Sequence, residues 1–200
     1  MRRLELDKNW TMKMVDGNES FDALVPGSVY GDLLSAGKME DPFWKDNEEA
    51  ALKLMDEDYE YSVNFKCDED LLGKTEVLLV FEGLDTLADV YLNGVFLGYA
   101  NNMHRTWKYQ VKKYIKNDNV LKVIFKSPTK FIKEAYEKAP TRGTEDAMDG
   151  FVHIRKAHYM FGWDWGAHLP DAGIWRPVYL LGIDKAEIES AEVLQYHEGG

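Results

Sequence analysis

Short segments in which apolar and polar residues alternate dominate the chain from Tyr59 onward. Tyr59, Tyr61, Val63, Phe65 and Cys67 alternate with Glu60, Ser62, Asn64 and Lys66, the period of a strand buried on one face. Residues 77–81 are apolar without interruption, which predicts a central strand covered on both faces. Ala88, Val90 and Leu92 alternate again and lead into Asn93-Gly94, a dipeptide suited to a two-residue hairpin turn, with 95–99 returning. Residues 107–111 and 120–125 continue the series around a polar connection at 112–119, and 178–183 adds another strand. Strands this short and this frequent predict an antiparallel β-sandwich.

The rest of the pattern is sparser. Leu4-Glu5-Leu6 and 10–15 alternate weakly around Trp10 and give one strand candidate; Trp10 and Trp107 are both read as core. Val25-Pro26-Gly27 breaks the chain, and Ser28 caps a short helix that runs through Ala36 and stops at Gly37, with Val29, Leu33 and Ala36 on one face. Residues 41–58 are acidic and irregular, and Phe43-Trp44 within them is expected to pack against the domain or to rim a site. After Ser127-Pro128, Phe131 with Ala135 and Ile132 with Tyr136 mark an amphipathic helix over 129–138, followed by a polar surface loop at 140–150. The fold class read from this pattern is all-β with one or two short helices.

Residues 150–179 follow neither period. Phe161, Trp163, Trp165 and Trp175 crowd into one stretch punctuated by Gly162, Gly166 and Gly173, and a single carboxylate, Asp164, stands between two of the tryptophans. Aromatic planes beside a carboxylate suit a ring with apolar faces and a hydroxylated rim, which is a sugar. An ionised carboxylate offers two acceptor oxygens, so it can take two neighbouring hydroxyls at once.

Composition narrows the classes. A net charge of −11, from 35 acidic and 24 basic residues, argues against nucleic acid or an anionic membrane as partner. The lone Cys67 excludes an intrachain disulfide framework, and with no apolar stretch behind Arg2-Arg3 to make a leader, the expected compartment is cytoplasmic. His153, His158 and His168 are spaced unlike any usual zinc set, and Asp56-Glu57-Asp58 and Asp68-Glu69-Asp70 lack the glycine of a calcium loop, so neither metal nor cofactor is expected. No serine sits in a nucleophile elbow, and there is no phosphate-binding glycine loop.

Several runs carry a family resemblance. Val25-Pro26-Gly27-Ser28-Val29, Phe81-Glu82-Gly83-Leu84-Asp85-Thr86 and Val90-Tyr91-Leu92-Asn93-Gly94 resemble the N-terminal sugar-binding domain of family-two glycoside hydrolases. Arg155-Lys156-Ala157, Gly162-Trp163-Asp164-Trp165-Gly166 and Gly173-Ile174-Trp175-Arg176-Pro177 narrow the resemblance to the β-mannosidases. It implies a galactose-binding-like jelly-roll sandwich over 1–185, with 186–200 opening an immunoglobulin-like domain. A C-terminal barrel of the same longer chain would carry the two catalytic glutamates of a retaining, exo-acting enzyme, their carboxylates about 5–5.5 Å apart. None of the catalytic residues is then expected among 1–200. The resemblance assigns Asp164 to hydroxyls of a terminal β-mannose, with Trp163, Trp165 and Trp175 around it. Arg155 and Lys156 are expected to pair with acids or to orient Asp164. The partners it implies are β-mannoside oligosaccharides and the barrel. A stand-alone carbohydrate-binding module is the rival reading, and a structural domain that stabilises a homo-oligomer is a third.

Overall fold

The computed structural model describes residues 1–186, 188 and 190–198. Six strands form one antiparallel sheet in the order β3 (Ser20–Ala23), β2 (Trp10–Met14), β4 (Tyr59–Lys66), β9 (Asp118–Phe125), β6 (Leu87–Leu92) and β7 (Val95–Asn101). Four form a second, in the order β1 (Arg2–Glu5), β12 (Val178–Ile183), β5 (Glu76–Phe81) and β8 (Trp107–Gln110). The alternating residues of both sheets meet in one core. Tyr61 and Val63 of β4, Val123 and Phe125 of β9, and Val90 of β6 are buried together with Leu79 and Phe81 of β5 and Leu180 of β12. Each such side chain contributes about 1.5–3 kcal/mol by leaving water, so the period-two pattern sets the register. The opposite face of β5 is covered as its unbroken apolar run requires, with Val80 in a second buried cluster beside Leu181 and Ile183.

Local chemistry sets the connections. Asn93 and Gly94 take φ values of 52° and 80°, the positive pair that a primed hairpin turn demands between β6 and β7. Ser28 caps α1 (Val29–Ser35) by accepting from the Gly31 amide, and Ser127 caps α4 (Pro128–Lys138) from the Lys130 amide, with Pro128 in the first turn.

Two more helices and, in the two large sheets, two more strands exceed the sequence pattern. α2 (Asn47–Leu54) lies inside the stretch read as irregular; Ala51 alone is fully buried, so the stretch carries almost no apolar stripe. The Tyr30 and Tyr59 hydroxyls hold it by donating to the Ala51 and Leu54 carbonyls at 2.9 Å, and Glu48 and Glu49 in the first turn and Lys53 in the last suit its dipole. Asp68 begins a capped helix, α3 (Glu69–Gly73), by accepting from the Leu71 amide at 2.8 Å, where the acids alone suggest a solvated turn. β1 and β3 are edge strands too short to show a period; β1 is fixed by its register, Leu4 opposite Leu180. Of the segment expected to open a following domain, 187, 189, 199 and 200 lie outside the described residues, and the others from 186 onward are exposed without helix or strand.

Candidate functional site

The tryptophan-aspartate-tryptophan run is the tip of a small hairpin. β10 (Phe161–Trp163) pairs antiparallel with β11 (Gly166–His168), Phe161 opposite His168 and Trp163 opposite Gly166, which leaves Asp164 and Trp165 as the two-residue turn. Neither turn residue takes a positive φ, so this is not the primed turn that short hairpins prefer. A two-stranded hairpin alone is marginal in water. This one is held at its base.

The anchors come from four other segments. Phe161 is fully buried in a satellite core with Leu87, Ile132 and Ile154. The Met148 amide donates to the Phe161 carbonyl at 3.0 Å, and the Leu169 amide to the Met160 carbonyl at 2.9 Å. His168 spans two neighbours: its Nδ1 lies 2.7 Å from Glu48 Oε1 and its Nε2 2.9 Å from the Asp146 carbonyl oxygen. The His168 backbone amide donates to the same Glu48 Oε1 at 2.9 Å. Partial burial raises the Glu48 carboxyl, but the two hydrogen bonds from His168 outweigh it and hold the group below the ordinary range. Gly162, at φ +95°, lets the imidazole lie against the backbone, since a Cβ there would fall 2.3 Å from the ring. Thus His168, one of three histidines weighed for a metal, serves as a tether, and His153 is likewise engaged, with Thr141 and the Ala139 carbonyl.

Above this base the tip faces outward. Trp165 is 82% exposed and Trp163 43%, their rings 5.6 Å apart and tilted by 58°. Asp164 between them is exposed and, among the described residues, has no hydrogen-bond or ion-pair partner. Both tryptophans line a hollow of about 780 Å³ together with Leu34, Met39, Phe43 and Tyr159. Phe43 therefore rims this hollow, whereas Trp44 stays exposed beneath the Lys45 ammonium. Among the described residues the one charged side chain in its wall is Asp171, whose carboxylate already accepts from the Tyr30 and Ala172 amides at 3.1 and 2.7 Å.

The other residues singled out by sequence lie elsewhere. Trp175 is not part of the hollow; it precedes β12, donates from Nε1 to the Met103 carbonyl at 3.2 Å, and packs on Gly83 with the Arg176 guanidinium 4.2 Å over its ring. Lys156 is 2% exposed and its ammonium donates to Asp85 Oδ2 and, at 2.6 Å, to the Asp171 carbonyl, so it pairs with an acid as expected but far from solvent. Arg155 is exposed, and its carbonyl accepts from the Met103 amide at 3.0 Å. What sequence reasoning missed is Glu48. Its only signal is a first-turn carboxylate on a helix without an apolar stripe, and its partner stands 120 residues away.

The chain belongs to the glycosyl hydrolase 2 galactose-binding domain-like family, whose match covers residues 10–176. Within that class it is similar to part of the β-mannosidases. The β-mannosidase of Bos taurus is 32% identical over 183 residues, covering 88% of this chain and 21% of that protein. The crystal structure of a β-D-mannosidase from Dictyoglomus thermophilum superposes with a TM-score of 0.90 at 36% identity, covering 94% of this chain and 23% of that one. An exo-chitosanase from Amycolatopsis orientalis, at 18% identity and a TM-score of 0.63 over 91% of this chain and 21% of that one, shares the fold. The chain thus spans about a fifth of the length of the curated relatives it matches.

Proposed function

We propose that this domain works within a longer retaining exo-β-mannosidase that removes terminal β-linked mannose, its hairpin closing one end of a pocket whose catalytic glutamates belong to a barrel outside residues 1–200. The observation that carries the reading is Asp164: a carboxylate with no protein partner among the described residues, raised on a tethered hairpin between two exposed tryptophans. Two carboxylates at the hairpin base are engaged, Glu48 by His168 and Asp171 by backbone amides. Asp164 accepts hydroxyls of the terminal sugar, and Trp163 and Trp165 shield those bonds from water. A hydrogen bond to a charged group is worth about 1.5–3 kcal/mol, enough to select one sugar configuration over its epimer. A wall at that end of the sugar admits chain ends and excludes chain interiors.

The stand-alone binding module is the weaker reading, because the hollow beside the tryptophans is apolar and its one charged group is already bonded. A sugar rim would find few partners there. The test is to incubate the full-length protein with a β-mannooligosaccharide labelled at its reducing end. Stepwise loss of single mannose units is expected. Internal fragments, or no turnover together with tight binding of mannose by residues 1–200, would overturn the reading.

A further inference from the structure

The hairpin belongs to neither large sheet, and its two strands share only the pairs Phe161–His168 and Trp163–Gly166. Something outside it must therefore fix where its tip stands. On one side the Met148 amide bonds the Phe161 carbonyl and the Asp146 carbonyl meets His168 Nε2. On the other stands α2, which reaches the hairpin through one carboxylate oxygen, Glu48 Oε1, taking both the His168 amide and its Nδ1. The two bonds differ in kind: one fixes the β11 backbone, the other the imidazole plane against Gly162. Only Gly166 and Ala167 separate His168 from Trp165.

We propose that Glu48 is a positioning residue for the sugar contact: acting through His168, it sets the height and tilt of the hairpin tip and so places Asp164. This rests on the reading of Asp164 as a sugar contact. It gives α2 a task that its sparse apolar face does not explain, since Ala51 alone is fully buried while Glu48 bonds across the chain. A misplacement of about 1 Å at a reacting centre can cost as much as a hundredfold in rate, so a remote carboxylate is able to matter this much.

A double-mutant cycle in the full-length enzyme tests it, with 4-nitrophenyl β-D-mannoside as the probe. Glu48→Ala is expected to lower kcat/KM by about ten- to a hundredfold, while Glu48→Gln, which keeps an acceptor oxygen, recovers most of the loss. Placed on Asp164→Ala, Glu48→Ala should add almost nothing, because a group that acts through Asp164 has nothing left to position. A purely structural role would give the same loss in both backgrounds, and that additivity overturns the proposal. A silent Glu48→Ala beside a damaging Asp164→Ala overturns the assignment of Glu48 alone. A silent Asp164→Ala overturns the sugar contact itself and, with it, the positioning role. Amide exchange supplies a readout independent of turnover: Glu48→Ala should speed exchange at His168 while the amides of β4 and β9 stay protected, and unchanged exchange at His168 also counts against the tether.

Discussion

Replacing Lys156 by methionine should destabilise the domain more than almost any other single change of similar size. The ammonium is 2% exposed and bonds Asp85 Oδ2 and the Asp171 carbonyl, while Asp85 is itself 3% exposed and its other oxygen accepts from Thr86 Oγ1. Methionine fills nearly the same volume, so the cavity term is small. What remains is a buried carboxylate without its cation, and breaking such a pair from one side costs about 3–5 kcal/mol. For a domain of this size each kcal/mol moves the midpoint by about 2–4 °C, so Tm should fall by about 6–20 °C. The damage should also be local. Asp85 and Gly173 exchange backbone hydrogen bonds of 2.9 and 2.8 Å, which join the turn after β5 to the segment entering β12. Circular dichroism melts of Lys156→Met, Asp85→Asn and the double variant settle the point. The double variant should recover part of the loss, because it leaves no unpaired charge. A Lys156→Met midpoint within about 2 °C of the parent would refute the reasoning, since it would put the pair's one-sided cost at about 1 kcal/mol or less.

Three other outcomes follow from the same structure. Gly162→Ala should cost about 1–3 kcal/mol and loosen the hairpin, because φ is +95° and the new Cβ would meet the His168 ring; a parent-like melt and parent-like exchange at Trp163 would contradict it. Burial and the nearby Asp68 push the Cys67 thiol up to about 11, so a disulfide reagent at mildly alkaline pH should react only on unfolding in urea, and immediate labelling of the folded chain would contradict this. The Glu48 carboxyl titrates below its usual 4.5 in the folded chain, so its stabilising share is complete above that value and is lost as pH falls through the lower folded value. Glu48→Gln should therefore lose less Tm than the parent on acidification from about pH 6 to about pH 3, and parallel Tm curves would count against it.

The sandwich was readable because most strands that build it bury one face: the alternation in 59–67 and 88–92 and the Asn93-Gly94 turn carry register in the order of residues alone. The segments that escaped reading are those held by something other than apolar period. β1 is an edge strand fixed by its partner, α3 by the Asp68 cap, and α2 by tyrosine hydroxyls on its carbonyls together with Glu48. The site divides the same way. Asp164 between Trp163 and Trp165 stands out in the sequence because a charge flanked by tryptophans and glycines has no packing explanation. The tether through Glu48 and His168 leaves no such mark, because hydrogen bonds between residues 120 positions apart have no period. Trp175 is grouped by sequence with the other tryptophans; in the fold its Nε1 bonds the Met103 carbonyl and its ring covers Gly83.

The most direct test of the account is kcat/KM of the full-length Asp164→Ala enzyme on 4-nitrophenyl β-D-mannoside. Losing one charge-assisted hydrogen bond of about 1.5–3 kcal/mol corresponds to a fall of about tenfold or more. The melting midpoint should stay unchanged, because the side chain has no partner to lose among the described residues. A kcat/KM equal to that of the parent would contradict the claim that this hairpin holds the sugar.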